Sequence, residues 1–359
     1  MKKRIIFLVN GIGLGNSTRC YAVIQHLMDR ETEIEVVTSD NGLWFFRSRT
    51  EVKTLHQIES LYYGKENSRL SIRRTLASLR DFKAIMVRNA DHIENIIQDF
   101  RPHVAVIDSV YTFIPFKKAG IPIVALNNSD VICKSYYRFK DKPVSIRPQF
   151  YAVELMDYYF HRFIPNLVIS RTFDQTVRQS CGKFQRVGPI VRKNFIPTTF
   201  KKKPERAVIM LSGSTFGSPV TLKRTNYTIH IDIVGRDAPP TLNVQDNNIV
   251  YQGKLLDSFP LLYNADIAVV NGGFSAVSEM VYMNKPMVVI PVPHHAEQWL
   301  NARTIEYLGV GIMADEDNFE DKMVEVIQEV EKFHEAYRKL PEVKNGAEDA
   351  AEMILRAVG

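Results

Sequence analysis

The chain has 359 residues, 45% hydrophobic and 24% charged, with a formal net charge of +6. These are the proportions of an ordinary soluble globular protein, and the length favours two domains over one core. Three cysteines, Cys20, Cys133 and Cys181, are too few and too widely spaced for a disulfide framework or a CxxC metal site, and no run approaches the ~18 apolar residues of a membrane span. The positive balance suits an acidic ligand or an anionic membrane surface, and equally solubility alone.

The chain opens with Lys2-Lys3-Arg4 and an apolar run that stops at Asn10-Gly11. This is short of the roughly 7 to 15 residues of a signal-peptide core, so residues 4–9 read as a first buried strand. A cytoplasmic location is expected, with peripheral contact at the inner membrane face left open. Asn10 to Asn16 form a glycine-rich turn, and Ser17 or Thr18 is the expected cap of a helix running to about Arg30. Residues 34–38 are the next strand. Read alone, the G-x-G-x-G spacing fits dinucleotide binding with Asp40 as the ribose acid, or merely a tight turn.

Residues 66–99 carry a basic helical pattern with Arg69, Arg73, Arg74, Arg80, Lys83 and Arg88, which is a solvated face or a platform for an anionic acceptor or lipid headgroups. Strands follow at 104–108, ending in Asp108, and at 121–126, ending in Asn127-Asn128-Ser129-Asp130. Residues 136–162 mix aromatic and basic side chains, for packing or for a membrane-facing or acceptor-facing surface. Strands at 166–170 and 184–187 complete a first domain over 1–188. Residues 189–204 read as a linker, and its lysines lack the aromatic or arginine stripe of a nucleic-acid patch.

The same order of elements restarts over 205–340. Strands are expected at 207–211, 229–234, 249–251, 267–270, 287–290 and 310–313. The turn from Ser212 to Gly217 follows the first of them, and two helical segments broken at Pro341 close the chain. The last, 341–359, is expected to pack back toward the first domain. Alternating strands and helices imply two doubly wound parallel sheets.

Residues 266–302 concentrate the chemistry. A short strand ends in Asn271-Gly272-Gly273, a helix opens at Ser275, and a second strand follows Pro286. Unpaired N–H groups at such a helix start favour an anion such as a diphosphate. Glu279 lies one turn beyond Ser275, and Glu297-Gln298 follow the next strand at the carboxyl edge, where open sheets bind ligands. A carboxylate there accepts two hydrogen bonds from a sugar diol. His294-His295 lack the spacing that places two imidazoles on one metal, and Asp315-Glu316-Asp317 sit where acids cap a helix. No G-x-x-x-x-G-K-[ST] loop and no G-x-S-x-G turn is present.

The pattern Asn271-Gly272-Gly273-Phe274-Ser275-x-x-x-Glu279, with Lys285-Pro286, Ile290-Pro291, Glu297-Gln298 and Asn301-Ala302, resembles the donor signature of GT-B nucleotide-sugar glycosyltransferases. It is most similar to glycosyltransferase family 28 and the plant-type UDP-glycosyltransferases. The resemblance implies a GT-B fold, two Rossmann-like domains facing across a cleft, with the acceptor on the first domain and the donor on the second. By position it places Gly272, Gly273 and Ser275 on the diphosphate and Glu279 on the ribose. Gly253, Lys254 and Leu255 would lie against the base, Glu297 and Gln298 on the donor sugar, and Ser212, Gly213 and Ser214 below the phosphates. Gly13 and Gly15 would border the donor from the first loop. The family often has histidine where this chain has Asn16, and an amide has no basic lone pair, so Asn16 can orient but not deprotonate. Asp108 is therefore the first candidate for the base and Asp130 the second. Asn271 stands where the plant-type signature has histidine.

The expectation is an inverting, metal-independent glycosyltransferase without cofactor. It would move a sugar from a nucleotide-diphosphate donor, UDP-linked by preference, to a lipid-linked or saccharide hydroxyl, with no nucleic-acid partner. A nucleotide-sugar hydrolase or epimerase, or a non-catalytic nucleotide-sugar-binding protein, are the alternatives.

Overall fold

The computed structural model describes residues 2–60, 65–66, 69–70, 72–177, 182–211, 222, 227–235, 248–255 and 257–358. In chain order the first half contains β1 (Lys3–Val9), α1 (Leu14–Leu27), β2 (Thr32–Thr38), α2 (Asp40–Arg47), β3 (Thr54–Gln57), a two-stranded ladder β4 (Lys65–Glu66) and β5 (Arg69–Leu70), and α3 (Ile72–Phe100). Then come β6 (Val104–Asp108), α4 (Ile114–Lys118), β7 (Ile123–Asn127), α5 (Ser129–Arg138), α6 (Arg147–Gln149), α7 (Leu155–Phe163), β8 (Leu167–Arg171) and β9 (Phe184–Val187). The second half contains β10 (Arg206–Met210), β11 (His230–Val234), β12 (Ile249–Gly253), α8 (Phe259–Asn264), β13 (Ile267–Asn271), α9 (Phe274–Tyr282), β14 (Met287–Ile290), α10 (Ala296–Leu308) and β15 (Gly311–Met313). Three helices end the chain: α11 (Phe319–Gln328), α12 (Val330–Lys339) and α13 (Ala347–Ala357).

Among the described residues the strands form a parallel sheet in the order β3-β2-β1-β6-β7-β8-β9 and another in the order β12-β11-β10-β13-β14-β15. β6 and β7 are buried along their whole length, as parallel strands covered on both faces must be. In each sheet the chain reverses its direction of travel once, between β1 and β6 and between β10 and β13. Those two switch points open crevices at the carboxyl ends of the strands, where ligands of such sheets bind, and the crevices face each other.

Three details differ from the sequence reading. Helix α1 starts at Leu14 with Gly13 as its N-cap, so Ser17 and Thr18 lie inside it. The Thr18 hydroxyl bonds the Gly15 carbonyl at 3.1 Å, a local option open to threonine within a helix. β3 and α2 were not read from the sequence, because Thr-Leu-His-Gln is too polar to signal a strand at the sheet edge. The tail has three helices instead of two, since Glu329 leaves helical geometry (ψ 22°) between α11 and α12.

Helix α13 belongs to the first hydrophobic core. Ala347, Ala350, Ala351 and Ile354 pack with Ile5, Phe7, Cys20 and Leu27, and Lys3 Nζ bonds the Leu355 carbonyl at 3.0 Å. The chain reaches it by crossing its own linker. A side chain at Gly188 would overlap the Lys344 carbonyl and one at Gly346 the Gly188 carbonyl, so both crossing residues must lack Cβ.

Candidate active site

The first loop is fastened to the end of β6. Asn10 Nδ2 donates to the Ser109 carbonyl at 3.0 Å, and the Asn10 amide donates to the Asp108 carbonyl at 3.0 Å. This brings the N-terminal turn of α1 beside Asp108, which is fully buried. Arg19, at a core-facing position of α1, bonds both Asp108 carboxylate oxygens, through Nε at 2.8 Å and Nη2 at 2.5 Å. Nη2 also donates to Asn16 Oδ1 at 3.1 Å, and the Cys20 thiol donates to Asp108 at 3.3 Å. Burial and the Asp108 carboxylate push the Cys20 thiol pKa well up, so it is a neutral donor. Asp130, the second candidate for the base, is likewise held by Arg186 at 2.6 Å and by the Ser170 hydroxyl at 2.5 Å.

On the second domain, β13 delivers Gly272 and Gly273 to the start of α9, whose first turn has no acidic residue. A Cβ on Gly272 would overlap the Gln298 carbonyl, because α10 packs directly on this turn, and Asn301 Nδ2 donates to the Gly272 carbonyl at 2.9 Å. A Cβ on Gly273 would meet nothing within 4 Å, so open space lies in front of the helix start. Glu279 is buried, and its carboxylate has no hydrogen-bond partner among the described residues. Desolvation pushes its pKa up to about 7, partly countered by Arg192. A carboxylate whose pKa desolvation has raised is one that hydroxyl donors from a ligand would favour in its charged form.

The remaining sequence candidates have these neighbours. Asn271 Nδ2 donates to the Ile290 carbonyl at 3.0 Å, tying β13 to β14. Gln298 Oε1 accepts the Val292 amide at 3.0 Å and braces the loop into α10. Glu297 accepts from Asn128 Nδ2 of the first domain at 3.4 Å. Gly253 ends β12 with φ 62°, and Lys254 reaches across to Asn41 Oδ1 at 3.0 Å and lies 4.3 Å from the Trp44 ring centroid. Leu255 packs on the second core. A Cβ on Gly13 would meet nothing within 4 Å, while one on Gly15 would touch Ser275. Ser212, Gly213 and Ser214 lie outside the described residues, as do the side chains of Arg69, Arg73, Arg74 and Arg80. Asp315 accepts the amide of Asn318, the residue that precedes α11, at 2.9 Å. Among the described residues no group of three His, Cys, Asp or Glu side chains is placed to hold a metal ion, and no helix is long and apolar enough to cross a membrane.

Several residues in the cleft were not singled out by the sequence. Arg171 ends β8, is 5% exposed, and stacks its guanidinium 4.5 Å from the Phe274 ring centroid. Burial, followed by the charge of Arg19, lowers its pKa to about 9. Glu154 faces Glu297 across the cleft, and burial, then that carboxylate, raises its pKa to about 8. Gln149 links the domains, donating to Glu154 at 2.8 Å and accepting the Ala296 amide at 2.9 Å. Only the basic residues on buried helix or strand positions, Arg19 and Arg171, left a signal that could have been read.

Comparison with known proteins places this geometry. The model of glycosyl transferase family 1 matches residues 3–330. A Methanosarcina mazei protein named an uncharacterized glycosyltransferase is 24% identical over 391 residues, covering 99% of each chain. The UDP-N-acetylglucosamine–N-acetylmuramyl-(pentapeptide) pyrophosphoryl-undecaprenol N-acetylglucosamine transferase of Shouchella clausii is 24% identical, covering 96% of this chain and 95% of its own. Among solved structures, the glycosyltransferase SsfS6 of Streptomyces sp. SF2575, complexed with thymidine diphosphate, superposes with a TM-score of 0.62 at 15% identity, covering 99% of both chains. Two parallel-sheet domains, their opposed crevices and a family match over most of the length agree: the chain belongs to glycosyl transferase family 1 and is a glycosyltransferase of the GT-B fold.

Proposed function

We propose that the enzyme transfers a sugar from a nucleotide-diphosphate donor, UDP-linked by preference, to an acceptor hydroxyl with inversion and without a metal ion. The observation that carries the donor reading is the open space before the helix start at Gly273, with the buried carboxylate of Glu279 one turn beyond Ser275 in the same helix. Amides of Gly272, Gly273 and Ser275 would take the diphosphate, Glu279 the ribose diol, and Glu297 with Gln298 the donor sugar. Gly253, Lys254 and Leu255 would border the base, and Ser212, Gly213 and Ser214 the phosphates from the other side. Asn16 orients the acceptor side. The names of the Shouchella relative, a UDP-sugar enzyme, and of the thymidine diphosphate complex support a nucleotide-sugar donor.

Acceptor attack would be a single in-line displacement at the anomeric carbon, which inverts its configuration. The relative's pyrophosphoryl-undecaprenol substrate supports a lipid-linked acceptor here. So does a surface on α5 to α7 where Tyr137, Tyr151, Tyr159 and Phe163 are exposed near the exposed Arg147 and Arg162, a suitable setting for peripheral membrane contact. Thermal melting with a panel of nucleoside diphosphates tests the donor reading, and a shift with UDP larger than with other nucleotides is expected. No shift with any nucleoside diphosphate sinks it. NMR of the product's anomeric proton tests inversion, and retained turnover in EDTA tests metal independence.

A further inference from the structure

Two guanidinium groups of the first domain reach the first turn of α9 on the second. Arg19 Nη1 donates to the Ser275 hydroxyl at 3.1 Å, and that hydroxyl donates in turn to the Gly15 carbonyl at 3.1 Å. Arg171 covers Phe274, and its Nε and Nη1 are buried with no hydrogen-bond partner among the described residues. A helix start, two arginines and two unpartnered guanidinium nitrogens form a strongly anion-seeking locus. The carboxylate nearest Arg19 is Asp108, both of whose oxygens accept from that side chain, with the Cys20 thiol and the Ser109 hydroxyl as further donors. Asp108 is thus placed to fix Arg19 in one rotamer, not to receive a proton from an acceptor.

We propose that Arg19 is the cation that meets the departing diphosphate, and that Asp108 is its positioning residue instead of the general base. This rests on the donor reading above. During transfer the acceptor oxygen bonds the anomeric carbon while the bond from that carbon to the phosphate oxygen breaks. The electron pair stays on the nucleoside diphosphate, whose charge grows by one, and the acceptor's proton passes to solvent. A phosphate oxygen arriving at Ser275 replaces the Gly15 carbonyl as the partner of its hydroxyl. The same oxygen can then accept the Arg19 Nη1 proton, so a neutral contact between the domains becomes two hydrogen bonds to an anion. Arg171 adds its free N–H groups from the end of β8. A preorganised cation at the point where charge develops is worth more than one recruited from solvent.

The test uses the full-length enzyme with UDP as the probe for the leaving group. Arg19→Gln combined with Asp108→Asn removes both charges and leaves a neutral hydrogen-bonded pair, which protects the fold. Its melting temperature is expected near that of the parent, with kcat down about 100-fold and UDP product inhibition weakened about tenfold or more. Arg19→Lys, which keeps the charge but not the fork, is expected to fall between the two. Asp108→Asn alone is expected to lower kcat yet keep the acid limb of the pH–rate profile. The proposal is overturned if the double variant keeps kcat within about threefold of the parent, if kcat falls while UDP inhibition is unchanged, or if Asp108→Asn abolishes the acid limb, which would make Asp108 the base. If UDP and other nucleoside diphosphates leave the parent's melting temperature unmoved, the donor reading and this proposal fall together. A shift in the parent with no kinetic effect of the variants removes this proposal alone.

Discussion

The two faces of the cleft are built by different means. The second domain's face is made from backbone: a turn of two glycines, a helix start and one carboxylate, all within nine residues of chain. The first domain's face is made from side chains that meet only after folding. Arg19 and Asp108 are 89 residues apart, and Arg171 arrives from a third element. Backbone sites tolerate almost any neighbour but no added bulk, whereas side-chain sites tolerate bulk but not the loss of one member.

That contrast is most easily broken at the glycines. Gly272→Ala is expected to destabilise the fold by about 1–3 kcal/mol, because its methyl overlaps the Gln298 carbonyl. Gly273→Ala, with open space in front of it, is expected to leave the melting temperature unchanged while donor affinity falls on the order of 100-fold through displacement of the phosphates. Gly13→Ala faces equally open space on the first domain and is expected to change donor affinity far less. If Gly273→Ala binds UDP-sugar normally, the diphosphate site lies elsewhere.

Next in size is the ionisation of Glu279. Its pKa is raised to about 7, so at pH 6 most molecules hold a proton that a ribose diol, donating to the carboxylate, must displace. Affinity for a UDP-sugar, whose own charge is constant in this range, is expected to be about tenfold weaker at pH 6 than at pH 8. Glu279→Gln is expected to flatten that dependence at an affinity about tenfold below the parent's pH 8 value. Titration calorimetry at the two pH values decides it.

Glu154 offers the matching test on the first domain. A carboxyl whose folded pKa, about 8, exceeds its unfolded value stabilises at low pH and loses that contribution as pH rises through 8. Glu154→Gln is therefore expected to raise the melting temperature relative to the parent at pH 9 and to narrow the gap at pH 6. Equal shifts at both pH values would show that burial does not govern this group. The smallest effect is expected at Lys254→Ala. Its exposed contacts to Asn41 and Trp44 are worth about 0.5–1 kcal/mol, a change of a few-fold in donor KM.

Legibility in the sequence followed the same division. Parallel strands covered on both faces are continuous apolar runs, so β6, β7, β13 and β14 could be read to within a residue or two. The edge strand β3 is polar and left no such run. The turn proposed to hold the donor is made of consecutive residues, so it stood out as a pattern. Asp108 was visible as an acid at a strand end, but its partner was not, since nothing local links it to a helix residue in α1. An arginine among Cys20, Val23 and Leu27 on the buried face of that helix was the available clue, because a buried cation demands an anion.

The crossing of the chain at Gly188 and Gly346 bears on how the protein is made. The first domain is synthesised first, yet α13, which completes its core, leaves the ribosome only after the entire second domain. Until then the part of the first core that α13 covers, around Ile5, Phe7 and Leu27, lacks that helix on the nascent chain.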